Sequence, residues 1–212
     1  MALEQSNRDQ HLQPRRGPFG ENEAPGELEL VRQFVNTLDV EEGTDELDGP
    51  HSLLDWFSGM GLIDDEAIAN EEDLKRSLAL REGIRSLLFA NNGEGIEPAG
   101  LRELDRIAGS VCLRVRFDED AVARLGPASS GVSAALGRIL AAVVRAMDEG
   151  IWGRLKVCTN DACQWAFYDR SRNRSGKWCT MEVCGNRMKA RTFRQRQASR
   201  NGVSHPAQQE RE

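Results

Sequence analysis

The 212-residue chain contains no run of about 18 apolar residues, the length that a membrane-spanning helix needs. Its first twenty residues hold no apolar core of the kind a secretory signal requires, and carry Arg8, Arg15 and Arg16 instead. These two absences predict a cytoplasmic protein, in a compartment where thiols stay reduced. Histidine is scarce, with His11, His51 and His205 the three present, all in predicted arms or loops. No nucleophile elbow, phosphate-binding loop or dinucleotide fingerprint occurs, so an enzyme is not expected.

What the chain does have is an uneven distribution of charge. The net charge is -6, yet residues 1–150 carry 15 Lys and Arg against 29 Asp and Glu, while residues 151–200 carry 12 against 3. Such a split predicts two jobs, with the basic part facing a polyanion. A solvated charged surface is the plainer alternative, and it accounts for a smaller imbalance than this one.

Residues 1–26 mix Gln, Pro, Gly and charge without periodicity and read as a disordered arm. From Glu27, Leu28, Val31, Val35 and Leu38 follow helical spacing. Val40–Gly49 is acidic and reads as a loop, after which Ser52 is the expected cap of a short helix with Leu53, Leu54, Trp56 and Phe57. Asn70, followed by Glu71, Glu72 and Asp73, is a strong helix start, and the Asn91-Asn92-Gly93 turn its end. Pro98 opens a helix that Gly109 closes. The period then switches to two, and Val111, Leu113, Val115 and Phe117 predict a half-buried strand paired with Ala121–Leu125. Cys112 on that strand is expected to be buried. The longest apolar helix starts at Ser129 or Ser130 and runs to Gly150.

Four of the five cysteines then fall close together, as Cys158-x4-Cys163-x15-Cys179-x4-Cys184. Two close pairs joined by a longer loop can deliver four thiolates to one tetrahedral zinc ion, and four cysteines leave no open position for catalysis. Disulfides are the alternative, which a reducing compartment disfavours. A segment of this size buries too little surface to fold confidently alone, so one structural zinc ion would supply the missing stability. Gln164–Tyr168 is expected to form one arm of a hairpin, with Trp178 leading from the other.

Between the pairs lie Arg170, Arg172, Asn173, Arg174 and Lys177, residue types that suit a phosphate backbone. A predicted helix after Cys184 carries Arg187, Lys189, Arg191 and Arg194. Of these, Arg187, Arg191 and Arg194 share one face, because offsets of four and seven return near the start. A solvated tail remains the alternative, and the pattern alone does not separate base contacts from phosphate contacts.

Leu155-Lys-Val-Cys158, Trp165-Ala-Phe-Tyr-Asp169, Ser171-Arg-Asn173, Trp178-Cys-Thr-Met181 and Cys184-Gly-Asn-Arg187 together resemble the CGNR-type zinc finger. In bacterial proteins that finger follows a helical ABATE domain, in a family described as stress-induced transcription regulators. Phe34-Val-Asn-Thr37 and Leu54-x-Trp56 followed by Gly61-Leu62 are similar to that domain. The resemblance implies zinc on Cys158, Cys163, Cys179 and Cys184, DNA binding by the finger, and a sensing role upstream.

The expected fold is therefore mainly α with a small β-hairpin. A helical sensor or oligomerisation domain at 27–150 precedes a small treble-clef-like zinc module at 151–198, with a disordered tail at 199–212. The expected function is DNA-binding transcription regulation, with an RNA-binding protein or a protein-interaction adaptor as rivals. Asn36, Thr37 and Trp56 are a candidate effector pocket, although such residues in a helical domain more often serve core packing. A homodimer through 27–150 is a further expectation.

Overall fold

The computed structural model describes residues 23–64 and 66–201, without the side chains of 199–201. The expected arm at 1–26 and tail at 199–212 fall mostly outside the described residues. Residues 23–26 belong to the folded body, where Ala24 is buried and donates its N–H to Glu29 Oε2 at 2.7 Å.

Six α-helices appear among the described residues: α1 Leu28–Val35, α2 Pro50–Gly59, α3 Glu71–Ala90, α4 Pro98–Gly109, α5 Gly131–Asp148 and α6 Asn186–Asn201. Three antiparallel two-stranded pairs accompany them: β1 Leu38–Asp39 with β2 Thr44–Asp45, β3 Leu113–Phe117 with β4 Ala123–Pro127, and β5 Leu155–Val157 with β6 Ala166–Tyr168. The fold is mainly α with small hairpins, and no described helix is long and apolar enough to cross a membrane.

Local signals set most of the boundaries. Asn70 Oδ1 accepts the N–H groups of Glu72 and Asp73, so the free donors of the first turn of α3 are satisfied as its sequence predicts. At α2 the expectation needs correcting. Pro50 occupies the first turn and Gly49 is the cap, while Ser52 lies inside the helix and exchanges hydrogen bonds with the Gly49 backbone at 2.8 and 2.9 Å. Proline fits that first turn because its missing N–H would be unpaired there anyway.

Central to the core is α5, whose Val132, Ala135, Leu136, Ile139, Val143 and Ala146 are buried. Its neighbours α1 and α3 contribute Val31, Phe34 and Val35 and Leu80, Ile84 and Leu88. The β3–β4 hairpin stands on α5 where Gly137 lets it approach; a Cβ there would lie 3.1–3.2 Å from Leu113, Pro127 and Val111. Only the base of this hairpin is covered, however. Val115 and Phe117 are 61% and 73% exposed, and Cys112 is exposed as well. The alternating pattern identified a strand correctly, but the expected burial fails because no layer of the described protein covers the far end of the ribbon.

Two arginines on α3 are buried in spite of their charge. Arg81 forks onto both carboxylate oxygens of Asp45 at 2.7 Å and donates to Thr37 Oγ1. Arg85 donates to Val35 O at 2.7 Å and to Gln164 O at 3.0 Å. Each guanidinium is thereby paired and hydrogen-bonded, the condition under which a buried charge is tolerated.

The β5–β6 hairpin has two working faces, because successive side chains on a strand point to opposite sides. Leu155, Val157, Ala166 and Tyr168 join the helical core, against α3 and α1. Phe167 packs instead with Cys158, Cys163, Cys179 and Cys184 in a second cluster, flanked by Trp165, Trp178 and Val183. The partner of Ala166–Tyr168 is Leu155–Val157 and not the segment around Trp178. That segment meets the hairpin without joining its ladder, as where Thr159 N donates to Lys177 O at 2.9 Å.

Candidate metal centre and nucleic-acid interface

The first cysteine pair sits in the turn that closes the β5–β6 hairpin. Cys158 N donates to Trp165 O at 2.9 Å, and Cys163 N and Gln164 N both donate to Asn160 O. Gln164 takes a φ of 52°, so the chain reverses tightly enough to bring Cys163 back over Cys158. The second pair lies just ahead of α6, one cysteine before and one within the helical turn Met181–Gly185 that leads into it. Thr180 Oγ1 accepts the Val183 N–H, and Gly185 N donates to Thr180 O at 3.0 Å. A Cβ on Gly185 would press on the Met181 thioether, which is half exposed and would have to swing aside.

These turns bury all four thiols side by side. Their sulfurs lie within 4.8 Å of one another, with Cys163 to Cys179 at 3.7 Å and Cys179 to Cys184 at 3.6 Å. No pair is bonded as a disulfide. Zinc–thiolate bonds of about 2.3 Å at the tetrahedral angle place sulfurs about 3.8 Å apart, so the cage fits one zinc ion. Protons serve this cage badly. Hydrogen bonds from Cys163 and Cys179 pull the Cys158 thiol down to about 2, and the Cys158 thiolate in turn pushes Cys163 up to about 12. Contact with the Cys158 and Cys163 sulfurs drives Cys179 upward in the same sense. A zinc dication would displace those protons and offset half the charge of the four thiolates. Asn160 Nδ2 approaches Cys184 Sγ at 3.7 Å, an outer partner the spacing of the cysteines does not reveal.

The basic loop hangs on a buried ion pair. Lys156 Nζ donates to Asp169 Oδ2 at 2.8 Å, with 5% and 2% of the two side chains exposed. Lys156 also donates to Arg174 O and Gly176 O, while Asp169 accepts from Ser171 N and Gly176 N. Burial would raise the Asp169 carboxyl, but the hydrogen bonds from Lys156, Ser171 and Gly176 outweigh it and hold the group at about 2. A Cβ on Gly176 would meet Asp169 at 2.8 Å, so the loop closes only on glycine.

On this frame Arg172, Asn173, Arg174 and Lys177 are exposed. Arg170 lies over the Tyr168 ring at 5.6 Å and donates to Glu23 O at 2.8 Å. Lys189, Arg191 and Arg194 are exposed on α6, whereas Arg187 is ion-paired with Glu41 from the β1–β2 turn. The loop and the helix emerge from the same zinc-fastened base.

The candidate pocket residues divide. Asn36 and Thr37 lie on a cleft of about 510 Å³ that Asp39, Asp45, Asp48 and Trp165 also line. Asn36 is committed elsewhere, because its amide exchanges two hydrogen bonds with the Ala166 backbone, at 2.7 and 2.9 Å. Trp56 packs against Phe34 and Phe57, with ring centroids 5.6 Å away in each case. Sequence reasoning missed Asn36 as a docking residue, and also missed Lys156, Asp169, Arg81 and Arg85. The motif positions of Lys156 and Asp169 were the one available signal.

Comparison with protein families agrees with this geometry. The CGNR zinc finger profile matches residues 154–197, and the ABATE profile, described as "Putative stress-induced transcription regulator", matches residues 28–149. No curated protein matches the chain. Both profiles describe regulator or zinc-finger families and not enzymes, and the four-cysteine cage provides for one structural zinc ion. With more than half its length matched by the ABATE profile and its metal cage matched by the finger profile, the chain belongs to the ABATE family and carries a CGNR zinc finger.

Proposed function

We propose that this protein is a zinc-dependent transcription regulator that binds duplex DNA through the finger, acts in the cytoplasm and carries no catalytic activity. The observation that carries the reading is the exposed basic surface built from the 170–177 loop and α6. Every described side chain of α6 except Met188 is exposed, so apart from Arg187, which pairs with Glu41, its described cations gain little from the rest of the chain. Phosphates would supply their partners, with counterion release as the driving term. Residues 27–150 would form the regulatory unit and 151–198 the binding unit. A small effector in the cleft beside Asn36 and Thr37 would touch Trp165 of the finger as well as the helical domain. Self-association belongs on the exposed β3–β4 face, where Val115, Phe117 and Val122 offer apolar area.

The test is a salt series on the zinc-loaded chain with duplex DNA, single-stranded DNA and structured RNA. Duplex binding that weakens steeply with salt is expected, and Arg174→Ala should weaken it uniformly across sequences while lowering the salt slope by about one. Preference for RNA, or indifference to all three polymers, would refute the proposal; an acidic protein partner would then fit the same surface.

A further inference from the structure

Phe193 is an aromatic side chain that packing does not explain: it is 62% exposed on a helix otherwise dominated by polar residues. Its position on α6 supplies a reason. Met188 is the half-buried residue among the described side chains of that helix, so its side marks the face turned toward the body. At 3.6 residues per turn, Gln197 lies about 180° round the axis from Met188. Ala190 and Asn186 lie within about 20° of Gln197, and Phe193 within about 40°. This stripe therefore points straight away from the protein.

Cations flank the stripe on both sides. Arg187, Arg191 and Arg194 lie about 60–120° to one side of Gln197, and Lys189 and Arg196 about 80–100° to the other. All five are exposed. A helix that enters a major groove about 12 Å wide meets base edges with its outermost face and phosphates with its two flanks. With 16 residues, α6 is about 24 Å long, enough for several base pairs.

We propose, on the reading that the finger binds duplex DNA, that Ala190, Phe193 and Gln197 read base edges in the major groove. The two cationic rows then grip the phosphate walls. The arginine row goes to the phosphates, because those side chains leave the helix at roughly right angles to its outermost line. The chemistry of the stripe points to A·T steps. A glutamine amide can pair with both N6 and N7 of adenine, and alanine and phenylalanine make apolar contact with the thymine methyl. Asn186 stands on the same stripe, but its amide donates to Glu182 O at 3.0 Å and fastens the start of the helix.

The experiment selects from a pool of random duplexes with the zinc-loaded full chain. Affinities are then measured for the selected and a scrambled duplex over a salt series, with zinc content checked for every variant. Selected sequences should share an A·T step. Phe193→Ala and Gln197→Ala should each cut the ratio of selected to scrambled affinity about tenfold and leave the salt slope unchanged. Arg191→Ala should weaken both duplexes equally and lower the slope by about one. The proposal is overturned if both stripe variants keep the full ratio, or if Arg191→Ala alone abolishes it, while duplex binding persists. Failure of the native chain to bind any duplex would remove the DNA reading itself, and this assignment with it.

Discussion

Replacing Asn36 with alanine tests whether the finger is docked as rigidly as the structure indicates. The Asn36 amide pairs with both the N–H and the carbonyl of Ala166, a residue with 0% exposure. Truncation leaves two buried backbone groups without partners, each costing about 1–3 kcal/mol, so a loss of about 3 kcal/mol is expected. Since 1.4 kcal/mol is a factor of ten, the undocked hairpin should become on the order of 100-fold more populated. Zinc should escape mainly through that opened form, because the cysteine cage lies directly behind Phe167 on the other face of the same strand. The assays are urea unfolding of the zinc-bound chain followed by tryptophan fluorescence, and the rate of zinc transfer to a chromophoric chelator. A change below about 0.5 kcal/mol for Asn36→Ala, with unaltered zinc transfer, would refute the docking argument.

Other consequences are equally direct. Metal analysis should find one zinc per chain, and Cys184→Ser should release it and unravel the segment around α6; a variant that kept its zinc would contradict the four-thiolate cage. Asp169→Asn should cost about 3 kcal/mol at pH 7, because it leaves Lys156 buried without its counter-charge. Because Asp169 is held at about 2 in the folded chain, its contribution is present above the ordinary carboxylate range. The gap between native and variant should narrow as pH falls below about 4, a trend chemical denaturation can follow. Glu41→Gln frees Arg187 at the base of α6 and should tighten duplex binding, most visibly at low salt; weaker binding would count against competition between Glu41 and phosphate. A 27–150 fragment should be helical but less stable than the full chain, since Leu155, Val157, Ala166 and Tyr168 complete its core. Circular dichroism during thermal unfolding reads that difference.

The sequence by itself determined what depends on neighbours along the chain. Asn70 and Pro98 mark their helix starts because capping and a fixed φ act within one turn. The paired cysteine spacing identified the metal cage because each pair needs only a local turn, and residues 155–187 carry nearly the whole finger motif. Pairings between distant residues were decided by the tertiary structure. Asn36 meets Ala166 across 130 positions, and Arg85 meets Gln164 across 79, with no periodicity to announce either contact. Nothing local marks Arg81 and Arg85 for burial; Asp45, Thr37 and backbone carbonyls converge on them only in the fold. Alternation in Leu113–Phe117 specified a strand, yet burial of its apolar face required a covering layer, which strand periodicity cannot supply. Local sequence encodes where the chain turns and which side chains share a face; what stands opposite that face is a property of the assembled fold.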